Sequence, residues 1–184
     1  MARSTSNRFT VPGLTQAQGQ QVIDLLQGRL VAYNDLHLTL KHVHWNVVGP
    51  NFIGVHEMID PQVELVRGYA DETAERIAAL GGSPQGTPGA IVSGRTWDDY
   101  ALGRDTVTAH LGALDLVYTG LITDNRTALD TLEDLDLVTQ DMLIGHTAEL
   151  EKFQWFVRAH LESAGGSLPT AGAKTEKQAA AATR

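Results

Sequence analysis

Four long runs of apolar residues at helical spacing, separated by glycine and proline breaks, constrain this chain more than any other feature. Leu36, Leu40, Val43 and Val47 form the first stripe, and Ile59, Val63, Val66, Ala70 and Ile77 the second. Val107, Leu111, Leu114, Tyr118 and Leu121 form the third, and Leu143, Leu150, Phe153 and Val157 the fourth. Residues three or four apart share one face of a helix, so each stripe must be buried against another element. No alternating pattern of the strand type competes. Thr15 followed by Gln18 is a capping box that starts the first helix, and Gly49 and Pro50 end it. A second helix runs from Asn51 to Leu80, where Gly81 and Gly82 stop it. A third is predicted from about Asp98 to Leu132 and a fourth from about Asp136 to Leu161.

The connection over residues 81–98 is rich in Gly, Pro and Ser. Inside it Thr87 and Pro88 have the chemistry of an N-cap and a first helical residue, and Gly94 that of a stop. The expected fold is therefore all-α: a ferritin-like four-helix bundle with one long crossover connection that contains a short extra helix. The 184 residues divide into a flexible N-terminal segment (1–14), the bundle (15–162) and a flexible tail (163–184) of mostly Gly, Ala, Thr and Lys.

Composition excludes several classes of function. No apolar run is long enough to span a bilayer, and no apolar stretch follows Arg3 and Arg8, so a cytoplasmic protein is expected. With no cysteine, thiolate ligation and disulfides are ruled out, and any metal must be held by His, Asp, Glu or water. A net charge of −8 disfavours a nucleic-acid partner unless the basic residues are segregated.

The stretch KHVHWNVVGPNFIGVHEMID, from Lys41 to Asp60, carries the chemistry. His and Asp together suit a first-row metal such as iron, manganese or zinc. His56 and Asp60 are four apart and point the same way on a helix. His44 belongs to the preceding helix, so two helix ends meeting at a turn could aim three ligands at one point. The Glu-x-x-His motif of intra-bundle di-iron centres is absent. Asp71 and Glu75 form a second pair, four apart, on the same flank of the second helix. Asp71 lies eleven residues beyond Asp60, roughly 16 Å along the axis. Metal–ligand bonds are only about 2 Å, so one metal cannot bind both pairs of one helix. Two antiparallel copies of the helix could bring them together, and a two-fold dimer does so twice.

The run HWNVVGPNFIGVHEMID followed by D-x-x-x-E at Asp71 to Glu75 resembles the Dps family, the mini-ferritins (DNA-binding proteins from starved cells). ELEKFQWFVRAHLE, from Glu149 to Glu162, resembles that family's last helix. The resemblance implies a four-helix subunit assembled into a hollow homododecamer built from two-fold dimers. It implies oxidation of ferrous iron, preferably by hydrogen peroxide, and storage of the ferric product as mineral inside the shell. Carried onto this chain, His44, His56 and Asp60 come from one subunit and Asp71 and Glu75 from its partner. Trp45 lies beside the site, as packing or as a sacrificial ring that quenches one-electron oxidants.

Each assignment has a plainer competitor. A lone histidine on a helix is usually a satisfied core or surface residue, and that reading suits His37, His42 and His110. Asp71 and Glu75 alone would be a solvated charged face. Glu133, Asp136 and Asp141 lie where the third helix hands over to the fourth; they are either helix-terminal capping charges or an acidic pore for cations. Lys174, Lys177 and Arg184, with Arg3 and Arg8, are either a solubilising linker or weak contacts to DNA, multiplied by assembly. Two rival functions follow: a nucleoid-associated protein that compacts DNA non-specifically through its tails, and a hydrolase of amides or esters using the same metal site.

Overall fold

The capping box forms as the side chains of Thr15 and Gln18 require. Thr15 Oγ1 accepts from the Gln18 amide at 3.2 Å, and Gln18 Oε1 accepts from the Thr15 amide at 3.0 Å. In the computed structural model, which describes residues 9–184, these bonds start α1 (Gln16–Asn46). The elements that follow are β1 (Val47–Val48), α2 (Phe52–Ala79), α3 (Pro88–Gly94), β2 (Asp105–Thr106), α4 (Val107–Glu133), α5 (Leu137–Leu161) and α6 (Glu176–Ala182). α1 packs chiefly on α2 and α4 chiefly on α5, and the long crossover joins the two pairs. Every residue of the four predicted stripes is buried in one core. The fold is a ferritin-like bundle, as the periodicity predicts.

Several polar groups inside this core pair with one another. The Tyr118 hydroxyl donates to Gln62 Oε1 at 2.6 Å, and Asn125 Nδ2 donates to Tyr33 Oη at 3.0 Å and Thr147 Oγ1 at 3.2 Å. The extra helix appears as α3 with Thr87 at its N-cap position and Pro88 first.

Three boundaries differ from the sequence expectation. The third long helix begins at Val107, nine residues later than predicted, because the preceding segment is committed elsewhere. Trp97 Nε1 donates to Asp35 Oδ2 at 2.8 Å, and β2 pairs in parallel with β1, Asp105 against Val47. Thr106 then caps α4 by accepting from the Ala109 amide at 3.3 Å.

Residues 9–14 also depart from the expected flexible segment, since Val11 and Leu14 pack on the core. Residues 1–8, with Arg3 and Arg8, lie outside the described residues.

The third difference is the tail, expected to be flexible. It is laid along α4. Thr170 donates to Asp115 Oδ2 at 2.6 Å, while the buried Asp115 also takes Arg158 Nε at 2.7 Å on its other oxygen. Ala179 and Ala180 of α6 are buried against α4, and Arg184 is ion-paired with Asp105. Close approach is possible because α4 offers a glycine: a Cβ on Gly112 would sit 2.8 Å from the Ala179 carbonyl oxygen.

Candidate metal centre

The site is built at the α1–α2 turn. α1 ends into β1, and the chain reverses through Gly49 (φ 99°), a conformation that glycine adopts without steric cost. Asn51 follows at φ 64°, and the Phe52 amide closes the turn on the Gly49 carbonyl at 3.2 Å. This reversal brings the last turn of α1 against the first turns of α2, and with it His44 against His56.

The two imidazoles stack at 3.5 Å between ring centroids, with an interplanar angle of 25°. Their hydrogen bonds are reciprocal. His44 Nδ1 lies 3.0 Å from the His56 carbonyl oxygen, and His56 Nδ1 lies 2.9 Å from the His44 carbonyl oxygen. A carbonyl only accepts, so both Nδ1 atoms carry the hydrogen. In the neutral rings this fixes the tautomer and leaves the lone pair of each Nε2 for a metal, the usual way a backbone carbonyl orients a histidine ligand.

Asp60 completes the set. Its Oδ1 lies 3.2 Å from His44 Nδ1 and 2.6 Å from Lys41 Nζ. The Lys41 hydrogen bond holds the Asp60 carboxyl below the usual carboxylate range, with the charge of His44 a lesser contributor. His44, His56 and Asp60 are therefore brought together. Asp71 and Glu75 are exposed further along α2. Among the described residues, no group of three or more His, Asp or Glu is placed to hold a metal within one chain. Trp45 is 70 % exposed, so packing inside its own subunit is not its role.

Sequence pattern alone does not single out Lys41. The available signal was its position three residues before His44, which puts both on one face of α1.

The remaining candidates are placed differently from one another. Asp136 caps α5 and pairs with Arg76 at 2.6 Å, with its side chain 6 % exposed. Burial raises its carboxyl, but the bonds from Thr139 and Arg76 outweigh this, and the net shift is downward. Asp136 is thus a structural capping residue and not a free pore carboxylate. Glu133 and Asp141 are exposed. Arg184 is taken up by Asp105, which removes it from the set of free cations. Lys174 and Lys177 are exposed on the rim of a cleft of about 660 Å³ between the docked tail, α1, the crossover and α4.

A four-helix bundle whose histidine-and-carboxylate cluster sits on a helix flank, not inside the bundle, defines a ferritin-like class of its own. Residues 23–164 match the family described as Ferritin-like domain. The DNA protection during starvation protein of Mycolicibacterium smegmatis is 73 % identical over 172 residues, spanning 94 % of this chain and 94 % of that one. A solved structure of Mycobacterium smegmatis Dps superposes with a TM-score of 0.90 at 73 % identity, covering 92 % of this chain and 97 % of the other. DpsA14 from Streptomyces coelicolor gives 0.87 at 61 % identity, covering 89 % and 97 %. The chain belongs to the Dps family.

Proposed function

We propose that this chain oxidises ferrous iron, its substrate, at sites shared between two copies and stores the ferric product inside a homododecameric shell. The observation that carries this is the reciprocal Nδ1 bonding that leaves the Nε2 lone pairs of His44 and His56 open at one end of α2, with Asp60 against His44 Nδ1 and with Asp71 and Glu75 roughly 16 Å along the same helix. A two-fold arrangement supplies each His44–His56–Asp60 cluster with the missing carboxylates, Asp71 and Glu75 of the partner subunit. Neutral imidazoles and carboxylates suit ferrous iron and also the harder ferric product.

Hydrogen peroxide is the preferred oxidant. Two ferrous ions each give one electron to one peroxide, its O–O bond breaks, and with two protons both oxygens leave as water. Trp45, exposed and next to His44 in sequence, carries an oxidisable ring that serves to quench stray one-electron oxidants. The names of the relatives speak of DNA protection. For this chain the reading is chemical protection, by removing the iron and peroxide that together damage DNA. Direct contact with DNA would fall to Lys174 and Lys177, in a cytoplasmic and nucleoid-associated setting.

Stopped-flow oxidation of ferrous iron by peroxide tests the reading. His56→Ala and Asp60→Ala should each slow it strongly while the native mass of the assembly is kept. Wild-type rates in both variants would reject the site.

A further inference from the structure

We infer that the cleft behind the docked tail is a binding site for a small organic cation, an ammonium carried on an apolar or aromatic body. The cleft, of about 660 Å³, falls within the size range of small-molecule sites, and none of its lining residues belongs to the metal centre. An occupant would touch α1, the crossover, α4 and the tail together.

The lining says what fits. Leu36, Leu116, Val117 and Leu121 give an apolar floor. Gly120 leaves that floor open, since a Cβ there would meet nothing within 4 Å. Trp97 and Tyr100 stand on the crossover side. The Trp97 ring is fixed before any ligand arrives: its Nε1 donates to Asp35 Oδ2 at 2.8 Å, and Arg95 holds the other oxygen of Asp35 at 3.3 Å. Aromatic faces attract cations and also pack against apolar rings.

Glu176 supplies the charge from the tail side. It is half-buried, and its Oε2 accepts from the Ala101 amide at 2.5 Å. Burial pushes its carboxyl above the usual range, against the Ala101 bond, and the neighbouring Asp35 and Asp98 add to the push. Among the described residues no cation pairs with it. Lys177 adjoins it in α6, where successive side chains do not face each other. A half-buried carboxylate with like charges near it and no counter-ion is completed by a cation. The plainer account is an open groove that water fills, and it predicts no preference for a charged solute.

The test is a ligand-observed NMR titration of the assembled full chain with three probes. Phenethylammonium has both charge and ring, methylammonium the charge alone and phenethyl alcohol the ring alone. Phenethylammonium should bind with a Kd on the order of 1 mM, and each of the others at least about tenfold more weakly. Glu176→Gln keeps an acceptor for the Ala101 amide and removes the charge; it should bring phenethylammonium down to the level of the alcohol. Gly120→Leu fills the floor and should abolish binding of all three. Trp97→Ala, away from the bundle core, should weaken phenethylammonium about tenfold and serves if the leucine variant fails to assemble. Equal binding of amine and alcohol, no saturation by phenethylammonium, or full affinity in Glu176→Gln would overturn the assignment. Full affinity in both Gly120→Leu and Trp97→Ala would place the binding elsewhere and overturn it too.

Discussion

Sharing of each site between two chains can be tested by mixing two dead variants. The first lacks only Asp60 (Asp60→Ala) and the second lacks only Asp71 and Glu75 (both to Ala). Asp60 is the better target on its side because the histidines also carry the reciprocal bonds that fasten α1 to α2, and their removal would lower stability as well as rate. In a hybrid dimer, one site collects all the intact ligands and the other collects both lesions. Equal amounts pairing at random give hybrids as half of all dimers. Half the sites of each hybrid are whole, so 1/2 × 1/2 gives a rate about one quarter of wild type. The variants are unfolded separately, mixed, refolded together and assayed by the growth of ferric absorbance after peroxide is added. A mixture no more active than its two components would refute the shared site. That outcome would require one chain to bridge the roughly 16 Å between Asp60 and Asp71, which metal bonds of about 2 Å forbid.

Three further predictions rest on single contacts. His44→Ala should lower unfolding stability by about 1–2 kcal/mol in a urea titration, since it removes a bond to the His56 carbonyl, while Asp60→Ala should leave the midpoint close to wild type. Asp136→Asn should cost about 1–3 kcal/mol at neutral pH, through a weakened cap and a stranded Arg76. The folded Asp136 carboxyl titrates below its ordinary 3.8, so its stabilisation is complete above that value and lost as pH falls through the folded one. The gap between wild type and Asp136→Asn should therefore close in acid. Gly112→Val should drive α6 off α4, because a Cβ there would lie 2.8 Å from the Ala179 carbonyl oxygen. Limited trypsin digestion should then cut at Lys177 far faster than in wild type, and equal rates would reject the docking.

The helical bundle was legible because its apolar stripes are long and each break has its own chemistry. The Thr15 cap and the Gly49–Pro50 reversal fall where the side chains demand. The clustering of His44, His56 and Asp60 was legible too, since helical spacing and one turn determine it. The start of α4 was not legible. Residues 98–106 carry nothing that forbids a helix, and what keeps them extended is a bond to Asp35 and a two-residue pairing with β1, both distant in sequence. The tail was misjudged for a related reason. Its glycines and alanines have no apolar period, yet small size is what lets it lie on Gly112. Lys41 was passed over because a lysine on a helix looks like a solvated charge until the carboxylate opposite it is known.

Arg184 stands three contacts from His44, the first of the proposed metal ligands. Arg184 neutralises Asp105, Asp105 is paired with Val47, and Val47 caps the helix whose final turn carries His44 and Trp45. Deleting Arg184 removes a charge from that series. Asp105 is then left as an unbalanced anion next to the strand that closes the turn. A truncated chain compared with the full one for DNA binding would thus differ at both ends of the comparison. Neutralising Lys174 and Lys177 while keeping Arg184 separates the contribution of the tail's charge from its service as a clasp.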